Sequence, residues 1–183
     1  MAGPLQQPSA DELLLAAFNR MRDELLSTLT LYLGNREDAQ DVAQEAFLKC
    51  WRNRQDVPGV QNLRAWIYRI AFNAARDNRR SGWHKRRRPL DEVGLEGTHC
   101  PPAQELEIEH RDFIVALRRA ITHLRPEERE VFLLRVNAEL TYDEIAAIRC
   151  LPVGTVKTHM RSALSKLRQV LRQYAPHLPE AEE

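Results

Sequence analysis

Apolar residues recur every three or four positions over most of this chain, a pattern typical of helices that bury one face. The first such stretch begins with a Ser9–Glu12 capping box, in which the two residues satisfy free backbone amides at a helix start. The pattern runs to Leu33, with a break expected near Asp23, and Gly34 is expected to end the helical region. The predicted inward residues are Leu13, Leu14, Phe18, Met21, Leu25, Leu29 and Leu33.

Two more helices are predicted in the first half of the chain. Asn35 is expected to cap one of them, whose buried stripe is Ala39, Val42, Ala43, Ala46, Phe47, Cys50 and Trp51. Val57–Asn62 contains Pro and Gly and predicts a turn or loop. Asn62 is then expected to cap a helix that runs to about Arg80, with Leu63, Trp66, Ile67, Ile70, Ala71 and Ala74 inward.

The second half begins with a helix predicted over Glu105–His123, with Ile108, Phe113, Ile114, Leu117 and Ile121 buried. Pro126, followed by two glutamates in the first turn, opens the next helix, which carries Val131, Leu134 and Arg135. Pro176 and Pro179 are expected to end the structure, leaving a frayed tail.

A helix-turn-helix is predicted at Thr141–Leu171. A Thr141–Glu144 capping box starts a short helix with Ile145, Ala146 and Ile148 inward, and Pro152 prevents its simple continuation. The second helix starts at about Gly154, with an apolar stripe and an opposite face rich in hydrogen-bond donors. The stripe is Val156, Met160, Ala163, Leu164, Leu167, Val170 and Leu171. The same pattern also fits an ordinary helical hairpin with a solvated charged face.

The fold class that follows is all-α, with two small helical domains joined by a flexible linker. The domains are expected at residues 9–84 and 105–175, and the Pro/Gly-containing, acidic stretch 85–104 is the expected linker. Charge is uneven around it: residues 60–88 carry nine Lys and Arg against one Asp, whereas residues 90–112 carry seven acids against one Arg. Blocks of opposite sign indicate distinct surfaces, and the basic ones suit nucleic acid.

Composition excludes several classes of protein. No apolar run approaches the ~20 residues needed to span a bilayer, and the N-terminus has no secretion signal, so no membrane insertion is expected and the predicted location is cytoplasmic. Cys50, Cys100 and Cys150 are isolated, which argues against a disulfide framework. No zinc-ligand spacing occurs; His99, Cys100 and His110 form only a faint candidate, so neither a metal nor a cofactor is predicted.

Acidic residues line one face of the second helix. Asp38, Asp41 and Glu45 lie at i, i+3 and i+7, with Gln44 beside them. Favourable charge at a helix N-terminus explains Asp38 but not Glu45, two turns further on. The alternatives are a solvated face and an acidic docking strip for a basic partner.

Aromatic and basic residues alternate on the third helix. Arg64, Tyr68, Phe72 and Arg76 form an i, i+4 column, with Arg69, Asn73, Arg79 and Arg80 alongside. Such a surface suits single-stranded nucleic acid, because bases stack on aromatic rings. The alternative is that Tyr68 or Phe72 packs on another helix.

Three stretches now resemble one known family. Residues 38–51 resemble the polymerase-binding helix of sigma region 2, and residues 63–80 resemble the end of that region that reads the −10 element. Leu124–Leu167, with the run from Tyr142 through Pro152 to Lys157, resembles sigma region 4, which reads the −35 element. With only these two regions and a short linker, the chain resembles the extracytoplasmic-function (ECF) subgroup of the sigma-70 family.

The resemblance implies an alternative sigma factor, not an enzyme, that binds core RNA polymerase and promoter DNA and is often held by an anti-sigma factor. Asp38, Asp41, Gln44 and Glu45 match the motif that docks on polymerase. The implied −10 residues are Asn62, Arg64, Tyr68, Arg69, Phe72, Asn73, Arg76, Arg79 and Arg80. The implied −35 residues are Thr155, Lys157, Thr158, His159, Arg161, Ser162 and Lys166.

The sequence departs from the family pattern at a few positions. Cys150 stands at the helix-turn-helix bend where Gly is common, Thr158-His159 where Ser-Arg is frequent, and Phe72 where a polar or basic residue is frequent. These departures bear on the promoter sequence and not on the class. The competing class is a stand-alone helix-turn-helix regulator, which would leave the acidic strip and the third helix unused. A nucleic-acid enzyme would need convergent carboxylates or a metal-ligand set.

Overall fold

The computed structural model of the protein describes residues 9–82 and 108–172, and the chain divides into two compact units, Met1–Glu96 and Gly97–Glu183. The described regular elements are all helical: α1 Ala10–Leu33, α2 Arg36–Arg52, a 3-10 helix Arg54–Gly59, α3 Leu63–Gly82, α4 Ile108–His123, α5 Pro126–Val136, α6 Tyr142–Arg149 and α7 Val153–Leu171. The all-α prediction is therefore confirmed. The predicted linker 85–104, the start of the helix expected at Glu105 and the tail beyond residue 172 lie outside the described residues.

In the first unit α1, α2 and α3 pack against one another. Each helix contributes fully buried residues from its predicted stripe, such as Leu29 of α1, Ala46 of α2 and Ile67 of α3. Cys50 is also fully buried, and this burial raises the pKa of its thiol to about 12. The thiol is therefore protonated at neutral pH and a poor nucleophile.

The first helix corrects one prediction. A break was expected near Asp23, but α1 runs without interruption from Ala10 to Leu33. Asp23 is exposed, and Met21 and Leu25 on either side are both buried, so the apolar face continues past it. Gly34 ends the helix with φ 75° and donates its backbone N–H to Thr30 O over 2.8 Å, as predicted for a left-handed cap.

The segment between α2 and α3 is more regular than expected. Residues 57–62 were predicted to be a turn or loop, but Arg54–Gly59 forms a 3-10 helix that includes Pro58. Proline fits there because the turn around it is closed by the Val60 amide, which donates to Val57 O over 3.1 Å, so the turn needs no amide at position 58. The two predicted caps are confirmed: Asn35 accepts from the Glu37 amide over 2.8 Å, and Asn62 accepts from the Ala65 amide over 3.0 Å.

In the second unit α7 packs against α4, α5 and α6. The helix-turn-helix prediction holds at its turn. Thr141 and Glu144 form the capping box of α6, and Cys150 ends the helix in the left-handed region at φ 52° and ψ 45°. Helix α7 starts at Val153, one residue before the predicted start, and buries Val156, Met160, Ala163 and Leu167. Val170, predicted to lie inward, is 48% exposed.

No described helix is long and apolar enough to cross a membrane. Within residues 9–82 and 108–172, three or more His, Cys, Asp or Glu side chains nowhere come together as a metal-binding group. His99 and Cys100, the faint zinc candidate, lie outside those residues.

Candidate partner and nucleic-acid surfaces

The acidic strip of α2 lies on its outer face. Asp41, Gln44 and Glu45 are exposed, while Asp38 is half-buried and accepts from Asn35 Nδ2 over 3.3 Å. Glu45 forms an exposed ion pair with Lys49, at 2.6 Å, which contributes little to stability at a solvated surface. The strip therefore presents carboxylates that a basic partner can reach.

The opposite face of α2 is held firmly. Val42 and Ala46 are buried, and the Phe47 ring packs edge-on against Phe18 with centroids 5.0 Å apart. Phe47 also stacks on Trp51 at 6.0 Å. A charged strip on a packed helix keeps its geometry better than one on a loop.

On α3 two predicted site residues are buried, which is the alternative that the sequence left open for them. Tyr68 and Phe72 are both 0% exposed, so neither ring offers a face to a base. Phe72 packs against Tyr32 of α1, with ring centroids 4.9 Å apart, and against Tyr68 at 6.3 Å. The two aromatic residues of the i, i+4 column therefore lie in the interface between α3 and α1, where burial of their rings stabilises the fold.

The hydroxyl of Tyr68 and the guanidinium of Arg64 meet one carboxylate on α1. Tyr68 OH donates to Glu24 Oε1 over 2.6 Å, and Arg64 pairs with the same oxygen. Burial, reinforced by the hydrogen bond to Glu24, raises the pKa of Tyr68 well above its ordinary value, so the phenol stays neutral. Arg64 also lies over the Tyr68 ring, 5.6 Å from its centroid. Arg64, a predicted DNA contact, is thus half-buried and bonded to α1 of its own unit.

The rest of the predicted α3 set lies nearer the surface. Arg69, Asn73 and Arg80 are exposed, and Arg76 is half-buried and donates to Asn73. Arg79 lies over the Tyr32 ring at 5.3 Å and donates to its hydroxyl over 3.2 Å. These residues leave a basic, solvated face on α3.

The seven predicted residues of α7 divide into two columns, because a helix turns about 100° per residue. The first, which we name the outer ridge, is Lys157, Thr158 and Arg161, all exposed. The second, the flank, is Thr155, His159, Ser162 and Lys166, all partly buried. Of the two, the outer ridge is the more exposed to solvent.

Two flank residues are bonded to a buried carboxylate on α5. Glu128 is 3% exposed, and its Oε1 accepts from Ser162 Oγ over 2.8 Å and from Lys166 Nζ over 2.6 Å. Burial alone acts to raise the pKa of Glu128, but the bonds from Lys166, Ser162 and the Arg125 amide outweigh it and hold that pKa below its ordinary value. Glu128 is therefore ionised at neutral pH.

A second buried carboxylate lies on the same helix. Glu130 is 0% exposed and pairs with Arg149 Nη1 of α6 at 2.5 Å. Sequence reasoning placed Glu127 and Glu128 at a helix start as dipole partners and gave Glu130 no role. The sequence does contain a signal for this burial. The four consecutive apolar residues Val131 to Leu134 cover a full turn of the helix, and a turn that is apolar on every side is buried on every side.

A cation–aromatic cluster lies near the start of α7. Lys157 Nζ is 5.9 Å from the centroid of the Tyr142 ring, and the Arg135 guanidinium is 5.4 Å from it. Arg135 also donates to Leu140 O over 3.1 Å, in the turn before α6. The cluster ties the first residue of the outer ridge to the two preceding helices.

The chain matches two family descriptions in chain order: residues 17–85 match Sigma-70 region 2, and residues 114–167 match Sigma-70, region 4. Among curated proteins it is 30% identical over 158 residues to the ECF RNA polymerase sigma factor SigW of Bacillus subtilis, covering 82% of this chain and 84% of that one. It is 31% identical over 159 residues to the ECF RNA polymerase sigma-E factor of Haemophilus influenzae, covering 79% and 82%. The RNA polymerase sigma-H factor of Pseudomonas aeruginosa is 29% identical over 170 residues, covering 85% and 86%.

Two solved structures share the fold. The first is the sigma factor RpoE of Bartonella quintana in complex with the anti-sigma factor NepR, with a TM-score of 0.64 and 23% identity over 86% of this chain and 97% of that one. The second is CnrH in complex with the cytosolic domain of CnrY, with a TM-score of 0.61 and 20% identity over 89% and 90%.

Proposed function

Since the chain belongs to the ECF sigma factors of the sigma-70 family and acts as an alternative sigma factor that directs transcription initiation with core RNA polymerase, we propose which of its residues carry each step. The observation that carries the proposal is the separation of charge between helices. Acids face outward on α2, whereas α3 and α7 expose basic residues.

The polymerase-binding residues are Asp38, Asp41, Gln44 and Glu45. Three of the four are exposed, and Asp38 lies at the edge of the strip, held by Asn35. Acidic side chains on a rigid helix attract a basic surface and fix its register. Asp41 and Glu45 lie one helical turn apart, so both can meet the same partner surface.

The −10 surface is the solvated face of α3. It comprises Arg69, Asn73, Arg76 and Arg80, with Asn62, Arg64 and Arg79 at its edges. Guanidinium groups bind phosphates and stack on unpaired bases, which are the two requirements of a melted strand. Tyr68 and Phe72 are left out of this surface, because their rings support α3 from within.

The −35 surface is the outer ridge of α7, with Thr155 and His159 at its border. Lys157 and Arg161 supply phosphate attraction and base-edge donors, and Thr158 lies between them. Ser162 and Lys166 donate hydrogen bonds to Glu128 and hold α7 against α5, so they are left out of this surface.

Three further assignments complete the proposal. The protein is not an enzyme, because sigma factors act by binding, and it works in the cytoplasm, where polymerase is. An anti-sigma factor is a partner: the similar solved structure of RpoE is a complex with the anti-sigma factor NepR. Exposed apolar side chains on the first two helices, Leu15 at 41% and Leu48 at 44%, suit such a partner.

The test reverses Asp41 and Glu45 to Lys together. The buried residues beneath, Val42 and Ala46, are unchanged, so the fold is expected to survive with a surface-sized loss of stability. Like-charge repulsion should then cost several kcal/mol of polymerase binding, about 2–5 kcal/mol for charges buried on binding. Co-elution with core polymerase and run-off transcription measure the loss, and circular dichroism verifies the fold.

A matched control carries the same charge change elsewhere. Asp23 and Asp56 are exposed residues of the same unit that lie outside the strip, and their double reversal to Lys should leave co-elution intact. A folded strip mutant that transcribes normally would exclude the docking assignment. Equal loss in both double mutants would attribute the effect to net charge alone.

A further inference from the structure

Glu128 joins the core of the second unit to the helix that carries the outer ridge. We propose that Glu128 is a positioning residue for DNA reading: through Ser162 and Lys166 it sets the rotation of α7 about its own axis, and so decides which side chains face the duplex. The inference rests on the proposed role of α7 as the −35 reader.

The carboxylate is anchored on both of its oxygens. Oε2 accepts from the Arg125 backbone amide over 3.1 Å, at the start of Glu128's own helix, and from Lys166 Nζ over 2.6 Å. Oε1 accepts from Ser162 and Lys166. Because the side chain is almost completely buried, water competes little for these bonds, and the charged partners hold their positions strongly.

The two α7 partners are spaced so that they resist rotation. Ser162 and Lys166 are four residues apart, hence neighbours on one side of the helix. One bond would hold α7 at a single point, whereas two bonds from residues one turn apart specify which side of the helix faces α5. The apolar stripe of Val156, Met160, Ala163 and Leu167 favours burial of that face but is not directional.

A small rotation would change what the duplex meets. Consecutive residues lie about 100° apart on a helix, so even a fraction of that rotation would displace the ends of the long Lys157 and Arg161 side chains relative to the base edges. Base-edge hydrogen bonds require specific positions and directions, whereas attraction to phosphates does not. Loss of the bonds to Glu128 should therefore reduce specific binding more than non-specific binding.

The other helix of the motif is tied to the same element. Glu130 of α5 pairs with Arg149 at the end of α6, and Arg149 is only 13% exposed in its side chain. Helix α5 thus holds α6 through Glu130 and α7 through Glu128, and the carboxylates are two residues apart. One helix serves as the reference for both halves of the motif.

The experiment compares Glu128→Gln with Glu127→Gln in the full chain bound to core RNA polymerase. Glu127 is exposed and lies in the same helical turn, so its variant loses the same charge without a bond to α7. The probes are a duplex selected from a random-sequence library with the wild-type holoenzyme and a shuffled version of that duplex. The quantity measured is the specificity ratio, which is the dissociation constant for the shuffled duplex divided by that for the selected duplex.

Glu128→Gln should lower this ratio by about tenfold or more, the scale of one well-placed base contact. Glu127→Gln should keep it within about twofold, as surface substitutions do. A folded Glu128→Gln protein with the wild-type ratio would overturn the proposal. Parallel losses on both duplexes would overturn it too, because they indicate a structural role only.

A second pair of variants applies if Glu128→Gln does not fold. Lys166→Arg keeps a cation for Glu128 and should preserve the ratio, whereas Lys166→Met removes it and should lower the ratio. Equal ratios in the two variants, whether high or low, would contradict the proposal.

Arg161→Ala distinguishes the positioning role of Glu128 from the role of α7 as the −35 reader. If Arg161→Ala lowers the ratio and Glu128→Gln does not, only the positioning role fails. If Arg161→Ala and Lys157→Ala both leave the ratio unchanged, α7 is not the reader and both proposals fail.

Discussion

The two units use their acidic residues in opposite ways. In the first unit Asp41 and Glu45 lie outside, and the core between α1, α2 and α3 is aromatic and aliphatic. In the second unit Glu128 and Glu130 lie inside, paired with Lys166 and with Arg149. The comparison shows that acidic residues serve two purposes in these units: those on the surface are available to partners, and those inside are paired within their own unit.

The ion pair that joins α1 to α3 in the first unit is more exposed to water than the ion pairs inside the second unit. The Glu24 carboxylate that receives Tyr68 and Arg64 is 36% exposed, whereas that of Glu128 is 4% exposed. An exposed pair is screened by water and adds little, while a buried pair is costly to break. Removing one partner of an internal ion pair should therefore destabilise the second unit more than the first.

The largest expected effect tests packing in the first unit. Phe72→Ala removes a fully buried ring and should lower the free energy of unfolding by about 3–5 kcal/mol. Denaturant titration followed by tryptophan fluorescence measures it, because Trp51 and Trp66 lie in the described part of the first unit and residues 97–183 contain no tryptophan. Arg69→Ala on the solvated face is the control, with little change expected. Unchanged stability in Phe72→Ala would contradict the role of this ring in the packing of the first unit.

The next effect tests the internal charges of the second unit. Arg149→Met keeps the aliphatic volume but takes the guanidinium from the buried Glu130 carboxylate. We expect a loss of about 3 kcal/mol, at the lower end for breaking a buried pair. Hydrogen exchange of amides in α5 to α7 measures it, and peptides from α1 to α3 provide the reference. Lys49→Met, which breaks an exposed pair with Glu45, should change protection very little.

A pH titration sharpens the comparison further. The pKa of Glu128 is lower in the folded protein than in the unfolded chain, so its contribution is fully present above the unfolded pKa of about 4.5. That contribution is lost as the pH falls through the lower, folded-state value. The second unit of the wild type should therefore lose more stability between neutral and acidic pH than that of Glu128→Gln. Parallel pH profiles of hydrogen exchange would contradict this assignment.

The smallest effect concerns the turn of the helix-turn-helix. Cys150 occupies the left-handed region, which costs a non-glycine residue about 1–2 kcal/mol. Cys150→Gly removes that strain but loses more chain entropy on folding, so we expect a net gain of about 0.5 kcal/mol. Thermal unfolding monitored by circular dichroism measures it. A loss of stability would indicate that the thiol, 3.8 Å from Ala147 O, contributes more than the strain costs.

Local features were predictable because they depend on neighbours in the chain. The capping box of Thr141 and Glu144, the Asn35 cap and the left-handed Gly34 all follow from side chains and backbone within a few residues. The expected break at Asp23 failed because one polar residue on the exposed side does not interrupt an apolar stripe.

The candidate surfaces were predictable only in part. Asp41 and Glu45 were correctly placed outside the buried stripe of α2, since periodicity alone separates those faces. Tyr68 and Phe72 could not be placed in that way, because their burial depends on Tyr32 and Glu24, about 40 residues away in α1. Periodicity identifies a face of a helix, but it does not say whether another helix covers that face.

The sequence by itself determined the helices, their caps, the helix-turn-helix and the family, because each is encoded in local pattern and motif order. Only the tertiary structure decided which polar side chains are available to partners. Ser162 and Lys166 match a DNA-binding pattern as well as Lys157 and Arg161 do, but a carboxylate from α5 reaches the first pair. That outcome depends on the distance between helices, because a buried charge must find its partners wherever the packing places them.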